Sequence, residues 1–138
     1  MFLLNTNVIS ELRRPDRANP NLVKWADSTP AAQVFLSAMS LLEIERGALQ
    51  IARKDEAQGK ILRAWIDDHI LARFESRILA VDGTIALRCA RLHIPDPRSE
   101  RDALIAATAF VHGMTVVTRN VSDFTGTGVN LLNPWGTP

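Results

Sequence analysis

The 138-residue sequence is poor in the side chains that would brace or anchor a chain by other means than packing. It carries one cysteine, no tyrosine and three histidines. A single thiol cannot form an internal disulfide, and nothing in the sequence asks for an oxidising compartment. Cys89 lies among Leu87, Ala90 and Leu92 on an expected helix and reads as a buried thiol rather than a nucleophile. His69, His93 and His112 share no metal-ligand spacing with one another or with Cys89, which argues against zinc. No apolar run reaches membrane-spanning length. The apolar start Met1–Leu4 is too short for a signal peptide and has no basic leader, so the expectation is a cytoplasmic protein whose natural N-terminus is Met1, with no membrane role. No repeat, low-complexity tract or long linker interrupts residues 1–138, which predicts a single domain large enough to bury about two-thirds of its unfolded surface.

What is present describes an ordinary globule, 46% hydrophobic and 22% charged. The net charge of +1 decides little, but thirteen of the sixteen basic residues are arginine, which suits bidentate phosphate contacts and is compatible with a nucleic-acid substrate without demanding one. Short apolar runs at 2–4, 34–38, 78–81, 115–118 and 129–132 predict buried strands. Helical periodicity fills the intervals. A short helix covers 8–14, and Asn19-Pro20 opens another that runs through Trp25. A long helical pair runs from Ser40 to about Phe74, its apolar stripe drawn from Leu41, Ile44, Leu49, Ile61, Leu62, Trp65 and Ile66. The next helix follows Asp82-Gly83 and carries Ile85, Ala86, Leu87 and Leu92, and the last runs from about Ser99 to His112 with Gly113 as its stop. Strands alternating with helices imply a parallel sheet covered on both faces, an α/β domain.

In open sheets of that kind the ligand sits beyond the carboxyl ends of the strands, where strand order reverses. Asn5 follows the first strand, Glu43 lies early in the helix after the second, Asp102 opens the alanine-rich helix and Asp123 follows the fourth strand. Each has an ordinary alternative. Ser40-Leu41-Leu42-Glu43 reads as a capping box, Asp102 favours a helix N-terminus, and Asp123 suits a turn. Together they are harder to dismiss, because acids converging on one sheet edge repel without a cation. Oxygen ligands with no thiol or imidazole pattern suit Mg²⁺ or Mn²⁺.

Four stretches, LLNTNVISEL at 3–12, SLLEIERG at 40–47, DALIAATA at 102–109 and VTRNVSDF at 117–124, resemble in order the successive motifs of PIN-domain ribonucleases, and most of all the VapC-type toxins of toxin–antitoxin pairs. The ending VNLLNPW at 129–135 is similar too. The resemblance implies a three-layer α/β/α PIN domain and a Mg²⁺- or Mn²⁺-dependent endoribonuclease. It further implies a homodimer held inactive by a small VapB-type antitoxin, and contact with operator DNA only through that complex. It assigns metal binding to Glu43, Asp102 and Asp123 and places Asn5 where the family has its first aspartate, with Thr118 and Asn120 as supporting polar residues of the catalytic site.

An asparagine at that place keeps one ligating oxygen and loses the charge, so the nominal cluster charge falls from −4 to −3. The expected loss in transition-state stabilisation is several kcal/mol, about a thousandfold or more in rate. The plainest account of Asn5 is a deliberate Asp→Asn change that silences a toxic nuclease. The alternative is a naturally non-catalytic PIN-fold binding module that acts through antitoxin and operator DNA. A receiver-like phosphoacceptor also sets acids at strand ends but wants a lysine after a late strand, where Thr118-Arg119 stands, and no glycine-rich loop follows the first strand to favour a nucleotide-binding fold. Arg13, Arg14 and Arg119 are candidates for phosphate or antitoxin contact, with helix-end placement as the alternative for the first two. Trp25, Trp65 and Trp135 are too dispersed for a base-stacking platform and read as packing residues.

Overall fold

The computed structural model describes residues 1–136. Five short strands, β1 (Phe2–Leu4), β2 (Val34–Ser37), β3 (Ile78–Leu79), β4 (Thr115–Val117) and β5 (Leu131–Leu132), form one sheet in the order β3-β2-β1-β4-β5. Every pairing is parallel, with Leu3 opposite Phe35 on one side and Val116 on the other. Successive side chains of a strand point to opposite faces, and the two layers of core follow from that alternation. Leu4 and Val117 pack into one apolar cluster with Val8, Leu22, Ile44, Leu62 and Ile66. Leu3 and Val116 pack into the other with Ile105, Ala106, Ala109 and Phe124.

The first face is covered by α1 (Thr6–Leu12), α2 (Pro20–Ser28), α3 (Ala38–Lys54) and α4 (Glu56–Trp65), and α4 continues into a wider π-helical stretch at Ile66–Leu71. The second is covered by α6 (Glu100–His112), with α5 (Gly83–Leu92) packed outside it through Ile85, Cys89, Ala103 and Ala107. The alanines explain why α6 can be sandwiched. Ala103, Ala106, Ala107 and Ala109 are all fully buried, and only small side chains let the sheet and α5 both approach so closely. The expected three-layer α/β/α architecture is what the chain forms.

Several boundaries depart from expectation. The strands are shorter, because the residues at their ends turn at once into helices or loops: Ala38 already begins α3, and only Ile78–Leu79 and Leu131–Leu132 pair at the sheet edges. The cap expected at Asn19 and the stop expected at Gly113 hold: Asn19 accepts from the Asn21 N–H at 2.9 Å, and Gly113 closes α6 at φ +66°; the last helix begins at Glu100, with Ser99 as its cap. The capping box at Ser40 does not form. Ser37 caps α3 by accepting the Met39 N–H at 3.0 Å, so Ser40 lies inside the first turn with its hydroxyl buried. Of the expected apolar stripes, Leu62 and Ile66 are buried, whereas Leu49, Ile61 and Leu87 face solvent.

Among the described residues no helix is long and apolar enough to cross a membrane.

Candidate active site

Strand order reverses beside β1: the chain runs outward through β2 and β3, then crosses back to β4 and β5. The crevice beyond the carboxyl ends of β1 and β4 is therefore the expected ligand position. Asn5 and Thr118 are the first residues past those two ends, and their side chains meet. The Asn5 Nδ2 donates to Thr118 Oγ1 at 2.9 Å, and the backbone N–H of Asn5 bonds to Val117 O at 2.9 Å. The Asn5 Oδ1 accepts the Thr6 N–H at 2.9 Å as the cap of α1. Thr118, fully buried, also accepts the Asn120 N–H at 3.0 Å. Both ends of the Asn5 amide are thus used locally, one to start α1 and one to tie β1 to β4.

Glu43 is brought in from α3. With the capping role gone, its carboxylate is held by two other groups: Thr6 Oγ1 donates to Oε1 at 3.0 Å and Arg101 Nη1 donates to Oε2 at 3.1 Å. Asp102 stands in the first turn of α6, where Ser99 Oγ accepts its N–H, and the Arg101 Nε lies 3.5 Å from its Oδ1. Both carboxylates are nearly buried, their side chains 11% and 12% exposed. Burial raises the Asp102 carboxyl above its ordinary value; the neighbouring Arg101 opposes this, and the negative charges of Asp123 and Glu43 add to it. Asp123 is exposed on a 3-10 turn, Val121–Phe124, that Phe124 pins to the core. Asn120 shapes this turn through its backbone, donating to Thr118 and accepting from the Asp123 N–H at 3.1 Å.

The structure therefore gathers Asn5, Thr118, Glu43 and Asp102 around one edge, with Asp123 close enough to act on Asp102 by charge. Sequence reasoning overlooked Thr6 and Arg101. The signal for Arg101 was present, since a cation at the second position of a helix opposes the macrodipole and needs a reason to be there.

A second cluster corrects the expectation about histidine spacing. Cys89 on α5 and His93 at its C-cap are one turn apart, and with Glu100 their ligand atoms all lie within 4.8 Å of one another. The hydrogen bonds argue against a metal there. His93 Nδ1 accepts the Arg98 N–H at 3.1 Å, which leaves the proton on Nε2, facing Glu100 Oε2 at 3.3 Å and Cys89 Sγ at 3.9 Å. A ligating nitrogen needs that lone pair free. Burial also raises the Cys89 thiol, in keeping with its expected role as a packed, protonated side chain.

A family model described as PIN domain matches residues 2–125. The chain belongs to the PIN-domain family. Two relatives align along nearly the full length of this PIN-domain chain. Toxin FitB of Neisseria gonorrhoeae is 36% identical over 141 residues, covering 98% of this chain and 99% of the relative. VapC ribonuclease Y4jK of Sinorhizobium fredii is 32% identical over 142 residues, covering 98% of each. A solved structure of FitAB bound to an IR36 DNA fragment superposes with a TM-score of 0.87 at 35% identity, covering all of this chain and 98% of that one.

Proposed function

We propose that this PIN-domain chain is the toxin of a type II toxin–antitoxin pair, a divalent-metal-dependent endoribonuclease weakened by Asn5. The observation that carries the reading is the cation bridge at the sheet edge: Glu43 and Asp102, from helices on opposite faces, both turn toward one guanidinium. Two nearly buried carboxylates that gather around a positive charge fit a hard cation, and the donor set is all oxygen. Glu43, Asp102 and Asp123 would hold Mg²⁺ or Mn²⁺, and the Asn5 carbonyl would offer a neutral oxygen beside them. Such an ion would supply Lewis acidity toward a phosphoryl oxygen and lower the pKa of a water. Thr118 fixes the Asn5 amide, and Asn120 fixes Thr118 and the turn that carries Asp123. Thr6 orients Glu43. The RNA is recognised in single-stranded form, where bases are accessible.

The partners follow from the same reading. A VapB-type antitoxin restrains the toxin and mediates any contact with operator DNA, and the toxin itself pairs as a homodimer. The groove of about 470 Å³ that includes Trp25, Trp65, Phe74, Arg13 and Arg73 suits an apolar antitoxin segment bearing carboxylates. Arg13 lies 6.0 Å above the Trp65 ring, so its charge stands beside apolar surface.

The test is cleavage of total cellular RNA by the chain and by its Asn5→Asp form, with Mg²⁺ and with chelator, and with Glu43→Gln as the disabled control. Metal-dependent cleavage that aspartate raises and Glu43→Gln abolishes supports the reading. A specific observation also favours a non-catalytic binding module, because the Asn5 amide is satisfied at both ends by hydrogen bonds within the protein. That reading gains if the Asn5→Asp form stays inert while the chain still binds its antitoxin, and if the genomic codon specifies asparagine.

A further inference from the structure

Arg101 is badly placed for its own helix. It occupies the second position of α6, where the aligned peptide dipoles repel a cation. Its neighbours in space explain it better. One guanidinium reaches Glu43 on α3 at 3.1 Å and Asp102 on its own helix at 3.5 Å. The two carboxylates are nearly buried while the Arg101 side chain is 49% exposed. The acids are thus fixed and the base is on a tether open to solvent. Glu43 has no idle oxygen: Oε1 holds the Thr6 hydroxyl and Oε2 holds Arg101.

Resting on the metal-dependent reading above, we propose that Arg101 is a resident counter-ion that competes with the divalent metal for Glu43 and Asp102. Without metal it satisfies carboxylates that would otherwise repel each other, and together with the neutral Asn5 it brings the nominal charge of the site from −4 to −2. For a divalent ion to take the Glu43 Oε2 lone pairs, the guanidinium must leave, and its exposure allows that by side-chain rotation alone. Arg101 therefore sets a threshold: the site fills only above a metal concentration that the arginine raises. The charge, not the side-chain packing, is the active property, since half of the side chain touches nothing but water.

Mn²⁺ titration by calorimetry of the full chain, of Arg101→Gln and of Arg101→Lys tests this, with thermal melts in chelator and in Mn²⁺ alongside. Removing the competing charge tightens Mn²⁺ binding about fivefold to tenfold in Arg101→Gln, while Arg101→Lys falls between that form and the parent. In chelator Arg101→Gln melts lower than the parent, and its gain in Tm on adding Mn²⁺ is larger. Unchanged Mn²⁺ affinity in Arg101→Gln overturns the competition and leaves the metal reading intact. Weaker affinity overturns it too, and makes Arg101 a residue that positions the acids for the ion. Absence of Mn²⁺ binding by the parent, by Arg101→Gln and by Asn5→Asp alike overturns the metal reading and the competition with it.

Discussion

Replacing Asn5 by aspartate should change the stability of the protein in opposite directions with and without metal. Asn5 is 7% exposed and its two side-chain hydrogen bonds are both 2.9 Å long. An aspartate keeps the cap on the Thr6 N–H, and charge at a helix N-terminus adds about 0.3–1 kcal/mol. Its second oxygen needs a donor in place of the amide it replaces. Thr118 can supply one: its Oγ1 already accepts from Asn120, so its own proton is free to turn toward the second oxygen of the new carboxylate once the amide no longer donates. Against this stands the added charge beside Glu43, Asp102 and Asp123. A like-charge neighbour in a nearly buried site shifts a carboxyl by about one to two pKa units, or about 1.4–2.8 kcal/mol. The balance is a loss of about 1 kcal/mol without metal, a fall in Tm of about 3–5 °C for a chain of this size. With Mn²⁺ at one hundred times its Kd the bound ion contributes about 2.7 kcal/mol, and the tighter-binding Asn5→Asp form overtakes the parent. Melting curves of both proteins in chelator and across a Mn²⁺ series measure the crossing directly. An Asn5→Asp protein as stable as the parent in chelator, with the same Mn²⁺-induced shift, refutes the reasoning, because the acids would then not sense one another or the ion.

Three other outcomes can be measured on the metal-free protein. The Asp102 carboxyl is raised in the fold above its ordinary 3.8, chiefly by burial, so it contributes stability that is fully present below that value and lost as pH rises through the folded pKa; Asp102→Asn escapes this loss, and urea unfolding across the acid range should show its stability relative to the parent growing with pH and then levelling. Gly59→Ala places a Cβ 2.6 Å from the Ala52 Cβ and 2.7 Å from its Cα, so α3 and α4 must part; overpacking of about 1–3 kcal/mol outweighs the roughly 1 kcal/mol gain in helix propensity, and urea midpoints should fall. Glu11 Oε2 accepts both the Asn19 N–H at 2.9 Å and the Trp135 Nε1–H at 3.0 Å, so Glu11→Ala should cost about 1–2 kcal/mol in urea unfolding and Glu11→Gln less, since it retains an acceptor.

How much of this was legible in the sequence differs from residue to residue. Short apolar runs located the strands, and the cap at Asn19 and the helix starts after Asp82-Gly83 and near Ser99 were legible, because each start is marked by a side chain that bonds its own helix's backbone. Strand ends were less legible, since a parallel strand stops where its neighbour stops, and that is a fact about another part of the chain. Ser40 shows the same limit: Ser37 and Ser40 are both plausible caps, and only the end of β2 at Ser37 decides between them. Asn5, Glu43, Asp102 and Asp123 were legible as strand-end positions. The bonds that organise them, Asn5 to Thr118, Thr6 to Glu43 and Arg101 to Glu43, join residues far apart in sequence and follow no spacing rule. Cys89 and His93 were a different kind of miss, an i,i+4 pair readable on any helix but not weighed with Glu100.

The hydrogen bond between Asn5 and Thr118 spans 113 positions. A chain made from its N-terminus carries the first of these residues for most of its synthesis before the second exists. Contacts of such separation are also the slowest to close, because the loop entropy must be overcome before the strands that hold them can pair. The edge where the acids meet therefore cannot close until β4 has been made, after α1 to α6, and a chain that stops before β4 has the acids of α3 and α6 but no β1–β4 crevice beside them. The crevice between β1 and β4 thus belongs only to a chain made almost to its end.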